Sequence, residues 1–206
     1  MFKDVPLFLL ALTVTVYWTT VALLVLAKRL RHGRSAGLVP SQAYERRLWL
    51  LIVPVVTAWI LLPILAGKDQ IPWIRLPSWA QSMAVVYGIR WAAALLAVGC
   101  YLLSLYCWLV LGRHWSMAIV PGEKTQLVRR GLYRWVRHPI YGLSVALMLA
   151  SVLVTLTIPM AVVACLHLVA MNLKASHEER HLTASFGSDY EQYCREVGRF
   201  WPRLSV

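Results

Sequence analysis

Two stretches of this 206-residue chain gather residues able to do chemistry. One is His177-Glu178-Glu179-Arg180-His181. It satisfies HExxH, a spacing that sets two histidines one helical turn apart to bind zinc while the glutamate activates water. A zinc site also needs a third protein ligand. His138, His114 and several acids are available, but no recognisable third-ligand motif accompanies the pair. The plainer reading of Glu178 and Glu179 is electrostatic: two adjacent acids near a basic segment pair with Arg129, Arg130 or Arg137. The other stretch ends in Arg137-His138-Pro139-Ile140-Tyr141. Proline suits the first turn of a helix, because its missing N–H would have no partner there. His138 then stands just before a helix, where the positive end of the dipole disfavours an imidazolium, and Arg137 acts in the same direction. The expectation is a neutral His138.

The elements that carry these residues read as membrane helices. Hydrophobic residues make up 59% of the chain and charged ones 15%, against about 45–50% and about 25% in a soluble domain. Mean hydropathy is +0.60, and a soluble enzyme is excluded. A spanning helix takes about 20 apolar residues. Residues 5–27, 48–66 and 83–111 each supply one; Pro54 and Pro63 are tolerable within the second, and Arg90, which interrupts the third, is expected at or near an interface. The last apolar run, 140–171, holds 32 residues. That is too long for one span and short for two. Thr155, Thr157 and Pro159 lie near its middle, so a tight helical hairpin with two short or tilted legs is expected. Farther on, apolar or aromatic residues at 182, 186, 190, 193 and 197 keep a helical spacing, which predicts an amphipathic C-terminal helix on the membrane surface. The fold class is thus all-α integral membrane with about five transmembrane helices. It forms one domain over residues 1–206, with three spans in 1–110 and the functional region in 111–206.

Charge tests this count. The net charge is +12, but the basic residues sit in short segments between greasy ones, so the bilayer is the expected partner and nucleic acid is not. Six of them fall in 28–47, six in 112–139 and five from Lys174 onward. Five spans put all three segments on one face, which the positive-inside rule makes cytoplasmic. The N-terminus is then outside, and a prokaryotic inner membrane is the expected location. No signal-peptidase pattern follows the first apolar run. The bland use of this basic face is binding to anionic lipid. Cys100, Cys107, Cys165 and Cys194 make no CxxC pair and read as buried free thiols.

At these same residues the chain resembles the isoprenylcysteine carboxyl methyltransferases and the related phospholipid N-methyltransferases. The matching pieces are LGRHWS at 111–116, LVRRGLYRWVRHPIY at 127–141, the Glu178-Glu179 pair, and FGSDYEQYCREVGRFWP at 186–202. The resemblance also accounts for HExxH, since the acidic pair is the family's and the flanking histidines are not. Membrane sterol reductases share part of this pattern and bind NADPH. They usually read His-Pro-Asn-Tyr with an acid soon after the next glycine, where this chain has Ile140 and Leu143.

The resemblance implies S-adenosylmethionine as cofactor, with catalytic roles at His138, Glu178 and Glu179. It implies cofactor contacts from Gln126, Leu127, Val128, Tyr133, His138, Pro139, Ile140, Tyr141 and Glu178. Lys174 stands where the family has a substrate-contacting arginine, and Thr125 replaces its usual histidine. The implied substrate is an amphiphilic lipid or a prenylated molecule, and no metal is implied.

Overall fold

The computed structural model describes residues 4–32, 43–68, 71–112, 115, 117 and 126–203. Helix α1 (Val5–His32) is started by Asp4, whose Oδ1 accepts the Leu7 N–H at 2.9 Å, a side-chain cap on otherwise free donors. Helices α2 (Ala43–Ala66) and α4 (Ala84–Leu111) follow, with the single turn α3 (Trp79–Ser82) between them. The apolar run that begins at 140 is a helical hairpin, as its middle residues suggest. Helix α5 (Pro139–Thr155) stops where Leu156 turns left-handed (φ 51°), and α6 (Ile158–Phe186) begins after an extended Thr157.

Four of these helices, α1, α2, α4 and α6, are long and apolar enough to cross a membrane, and α5 is shorter. Its 17 residues rise about 25 Å. The second leg is not short: α6 runs on for 29 residues and carries Lys174, Glu178 and Glu179 on one rigid rod with the last span. The expected single surface helix is two pieces. Gly187 (φ 53°) breaks the chain between the end of α6 and a separate α7 (Ser188–Glu196), which buries Tyr190 and Tyr193.

The five long helices are neighbours in the order α1, α2, α6, α5, α4 and back to α1, and α5 also touches α1 and α2. The short helix therefore sits innermost, with most of its residues buried. Its closest partner is α4, which turns Ala93, Ala94, Ala97, Cys100, Ser104 and Cys107 toward the core. Small residues at this spacing let helix backbones approach, which is how membrane helices gain packing without a hydrophobic drive between them. The outer faces carry Leu95, Leu96, Leu102, Leu103 and Leu109 of α4 and Ile158, Val162 and Val169 of α6, suited to acyl chains. Cys165 lies on such a face and is exposed, contrary to the reading of all four thiols as buried; no disulfide forms among the described residues.

Arg90 has its partners at one end of the bundle. It is fully buried and makes a two-pronged pair with Asp4 (2.9 and 2.6 Å) while its Nε donates to the Val154 carbonyl at 2.8 Å. It ties the start of α1, the start of α4 and the end of α5 together. The charge is tolerated there because every prong has an oxygen to meet.

Candidate active site

The opposite end of the bundle holds the motif residues. The chain reaches it through a 3-10 turn, Gly131–Arg134, entered by Gly131 at φ 61°. A side chain there would need that left-handed backbone and would stand 2.9 Å from the Tyr106 hydroxyl. The next residues are fixed from the C-terminal side: Arg137 N–H donates to Gly198 O at 2.8 Å and His138 N–H to Arg199 O at 3.0 Å. Two glycines make this clasp possible. A Cβ on Gly198 would lie 1.9 Å from the Trp201 carbonyl oxygen, and one on Gly142 would lie 2.7 Å from that of Phe200.

His138 caps α5 and lies between the two acids. Its Nε2 is 3.2 Å from Glu179 Oε1, its Nδ1 is 3.5 Å from Glu178 Oε2, and its ring stacks on Tyr141 with centroids 5.4 Å apart. Burial pulls its pKa down, but hydrogen bonds to Glu178 and then Glu179 outweigh it, and the net movement is above the usual imidazole value. This reverses the direction expected from the helix start. Two nearby carboxylates act more strongly on the ring than a partial dipole charge.

Glu179 is held from three sides. Arg137 Nε and Nη2 approach its Oε1 at 3.2 and 3.1 Å, Arg199 Nη2 lies 3.2 Å from Oε2, and His138 completes the set. Arg137 spans further, donating to the carbonyls of Cys194 (3.1 Å) and Val197. Glu178, one residue earlier on the helix, faces His138, Tyr141 and Lys174 instead. Lys174 Nζ donates to Met117 O at 2.5 Å and stands 6.0 Å from the centre of the Tyr141 ring.

These groups border a cavity of about 220 Å³. Gln126, Leu127, Val128, Tyr133, His138, Ile140, Tyr141, Lys174 and Glu178 all line it, while Pro139 and Glu179 do not. Pro139 opens α5 behind the wall, and Glu179 faces the arginines. Tyr133 and Tyr193 lie side by side: the Tyr193 hydroxyl donates to the Tyr133 carbonyl, and burial pushes the Tyr193 pKa up to about 12 and raises that of Tyr133 as well. Both remain uncharged donors. The two histidines of HExxH part company. His177 stacks on Tyr44 (4.6 Å) beside Glu45 of α2, whereas His181 lines the cavity. Among the described residues no three His, Cys, Asp or Glu side chains group as a metal ion would require, and His114 lies outside the described residues, as does Thr125.

Several wall residues carry no motif. Tyr190 on α7 lines the cavity at 1% exposure, its hydroxyl buried beside Cys194. Tyr17, Trp18, Trp108 and Ser144 extend the wall into the bundle. In the sequence, Tyr17, Trp18 and Trp108 are aromatics within or at the end of apolar runs, and only the assembled helices gather them. Arg137 was legible only as one of several candidate partners for the acids.

Comparison with known proteins agrees with this region. The chain is 27% identical over 160 residues to the nickel-cobalt-cadmium resistance protein NccN of Alcaligenes xylosoxydans xylosoxydans. That match covers 77% of this chain and 65% of the relative, so the chain spans less than two thirds of the relative's length. The family model of the isoprenylcysteine carboxyl methyltransferases covers residues 92–184, from the first buried alanines of α4 through the acidic pair on α6. Over those residues the chain matches the isoprenylcysteine carboxyl methyltransferase family, a family of membrane methyltransferases.

Proposed function

We propose that the protein is an S-adenosylmethionine-dependent methyltransferase acting on a lipid or lipidated substrate at the cytoplasmic face of a prokaryotic inner membrane. The observation that carries this reading is Glu178: a carboxylate on a cavity wall, beside His138 and backed by aromatic rings, in the region the family model covers. The donor set fits the cofactor. Glu178 suits its ammonium group as a charge-assisted partner, the Tyr133 and Tyr141 rings suit a sulfonium, and Gln126 with the backbone of Leu127 and Val128 suits adenine. When bound, S-adenosylmethionine supplies an electrophilic methyl group.

The protein's own part is positioning and exclusion of water. The Glu179 clasp holds His138 and the C-terminal segment in register, so the wall is built before a ligand arrives. Lys174, with its point charge over Tyr141, is the candidate group for the acceptor's head. The amphiphile's tail would reach the cavity from the bilayer between helices. Isothermal titration of the detergent-purified protein with S-adenosylmethionine and, separately, NADPH tests the reading. Binding of the first is expected; binding of NADPH alone would replace it with a reductase.

A further inference from the structure

Four basic side chains, Arg137, His138, Lys174 and His181, line the cavity together with Glu178. Three of them are already engaged. Arg137 holds Glu179 and two backbone carbonyls, His138 lies between the two acids, and Lys174 donates to the Met117 carbonyl. His181 is different. It is partly exposed, and among the described residues its imidazole has no hydrogen-bond, ion-pair or ring partner. Its place on the helix says what it can reach. Lys174, Glu178 and His181 follow one another on α6 at spacings of four and three, so they share one face. Side chains three residues apart start from Cβ atoms about 5–6 Å from each other. His181 therefore stands about one turn beyond Glu178 on the cavity side, toward the end that Leu182 and Tyr190 close.

An acid and a hydrogen-bond donor at this separation suit a ligand with opposite charges on neighbouring atoms. An α-amino acid head has that form, with its ammonium and its carboxylate on one carbon. Seating the ammonium against Glu178 brings the carboxylate into the same cavity, and a carboxylate taken from water without a donor is costly. We infer that Glu178 and His181 form a clamp for an α-amino acid head, in which Glu178 takes the ammonium and His181 donates an N–H to the carboxylate. The ligand that fits is the methionine end of S-adenosylmethionine. The inference thus rests on the methyltransferase reading, and it adds a binding residue from outside the family pattern. It also gives the second histidine of the HExxH spacing a use other than metal, while His177 turns away to stack on Tyr44. Lys174 stays available for the acceptor.

The test removes the carboxylate and the imidazole in turn. The full-length protein in lipid nanodiscs is titrated calorimetrically with three ligands: S-adenosylmethionine, its decarboxylated analogue, and methylthioadenosine, which lacks the amino acid head altogether. The parent should bind S-adenosylmethionine about ten- to a hundredfold tighter than the decarboxylated analogue, the worth of a charge-assisted hydrogen bond. His181→Ala should lose that factor for S-adenosylmethionine and nothing for the other two. His181→Gln keeps an N–H donor and should recover part of the loss. The Tm of His181→Ala should stay at the parent's value, because no protein partner is lost. The clamp is overturned if His181→Ala binds S-adenosylmethionine like the parent, or keeps the parent's preference over the decarboxylated analogue. It is also overturned if methylthioadenosine weakens as much as S-adenosylmethionine, which would place His181 against the adenosine instead. A parent that binds none of the three ligands sinks the methyltransferase reading and the clamp together; a parent that binds S-adenosylmethionine no better than His181→Ala does sinks the clamp alone.

Discussion

His138 Nε2 lies 3.2 Å from Glu179 Oε1, and that same oxygen accepts from Arg137 at 3.1 and 3.2 Å. With Arg199 on its other oxygen, Glu179 is held by three side chains and lies outside the cavity wall. Its neighbour Glu178 has His138 at 3.5 Å with Tyr141 and Lys174 beside it, and a place on the cavity wall. Adjacent carboxylates on one helix thus take different tasks, because successive helical residues point about 100° apart.

The acid pair should therefore split by variant. Glu178→Gln should lower affinity for S-adenosylmethionine about ten- to a hundredfold, the worth of a charge-assisted hydrogen bond, with little change in Tm. Glu179→Gln should do the reverse, lowering Tm because Arg137 and Arg199 lose their counter-charge. Calorimetric titration and thermal melts of both variants decide it. Indistinguishable profiles would sink the division of labour.

The resemblance set Glu178 and not Glu179 among the cofactor contacts, but the sequence did not show what holds Glu179. Local signals were readable: the apolar lengths marked the spans, and Thr155, Thr157 and Pro159 marked a turn that falls at Leu156 and Thr157. The family pattern marked Gln126–Val128, Tyr133, His138, Tyr141 and Glu178, which the fold does bring to one cavity. Relationships across the chain were not readable. Asp4 and Arg90 stand 86 residues apart, and neither carries a local mark of the other. Arg199 reaches Glu179 only because Gly198 and Gly142 let the C-terminal segment lie against the start of α5. The direction of the His138 pKa was not readable for the same reason: the helix start is local, and the two acids come from another helix.

His138 gives a pH signature. Its folded pKa is raised above the unfolded value of about 6.5. Its contribution to stability is then complete below that value and fades as pH rises through the folded pKa. The Tm gap between the parent and His138→Gln should be widest near pH 6 and shrink toward pH 9. A gap constant over that range would mean an uncharged ring between the acids.

The Asp4–Arg90 pair should matter for stability and not for ligand. Breaking a buried pair by removing one partner costs about 3–5 kcal/mol, so Asp4→Asn should lower Tm strongly. Asp4→Asn combined with Arg90→Met removes both charges and should recover part of the loss. Along α4, Arg90 lies 18 residues before Trp108, about 27 Å at the helical rise. Affinity of the folded Asp4→Asn protein for S-adenosylmethionine should match the parent, measured by titration below its melting range.

Gly142 offers a test of the clasp itself. A Cβ there would lie 2.7 Å from the Phe200 carbonyl oxygen, a backbone atom with no side-chain freedom to yield. Gly142→Ala must push residues 198–201 away from α5. That movement loosens the bonds from Arg137 N–H and His138 N–H to Gly198 and Arg199, and shifts Arg199 off Glu179. Overpacking of this kind costs about 1–3 kcal/mol, and here it should also weaken S-adenosylmethionine binding, because the displaced segment sets the position of His138. Gly88→Ala and Gly99→Ala are the controls. Both glycines lie within α4 and have nothing within 4 Å of the added methyl. Alanine there should leave affinity unchanged and raise stability by up to about 1 kcal/mol through helix propensity. If Gly142→Ala behaves like these two, the approach of Phe200 to α5 does not hold the site together.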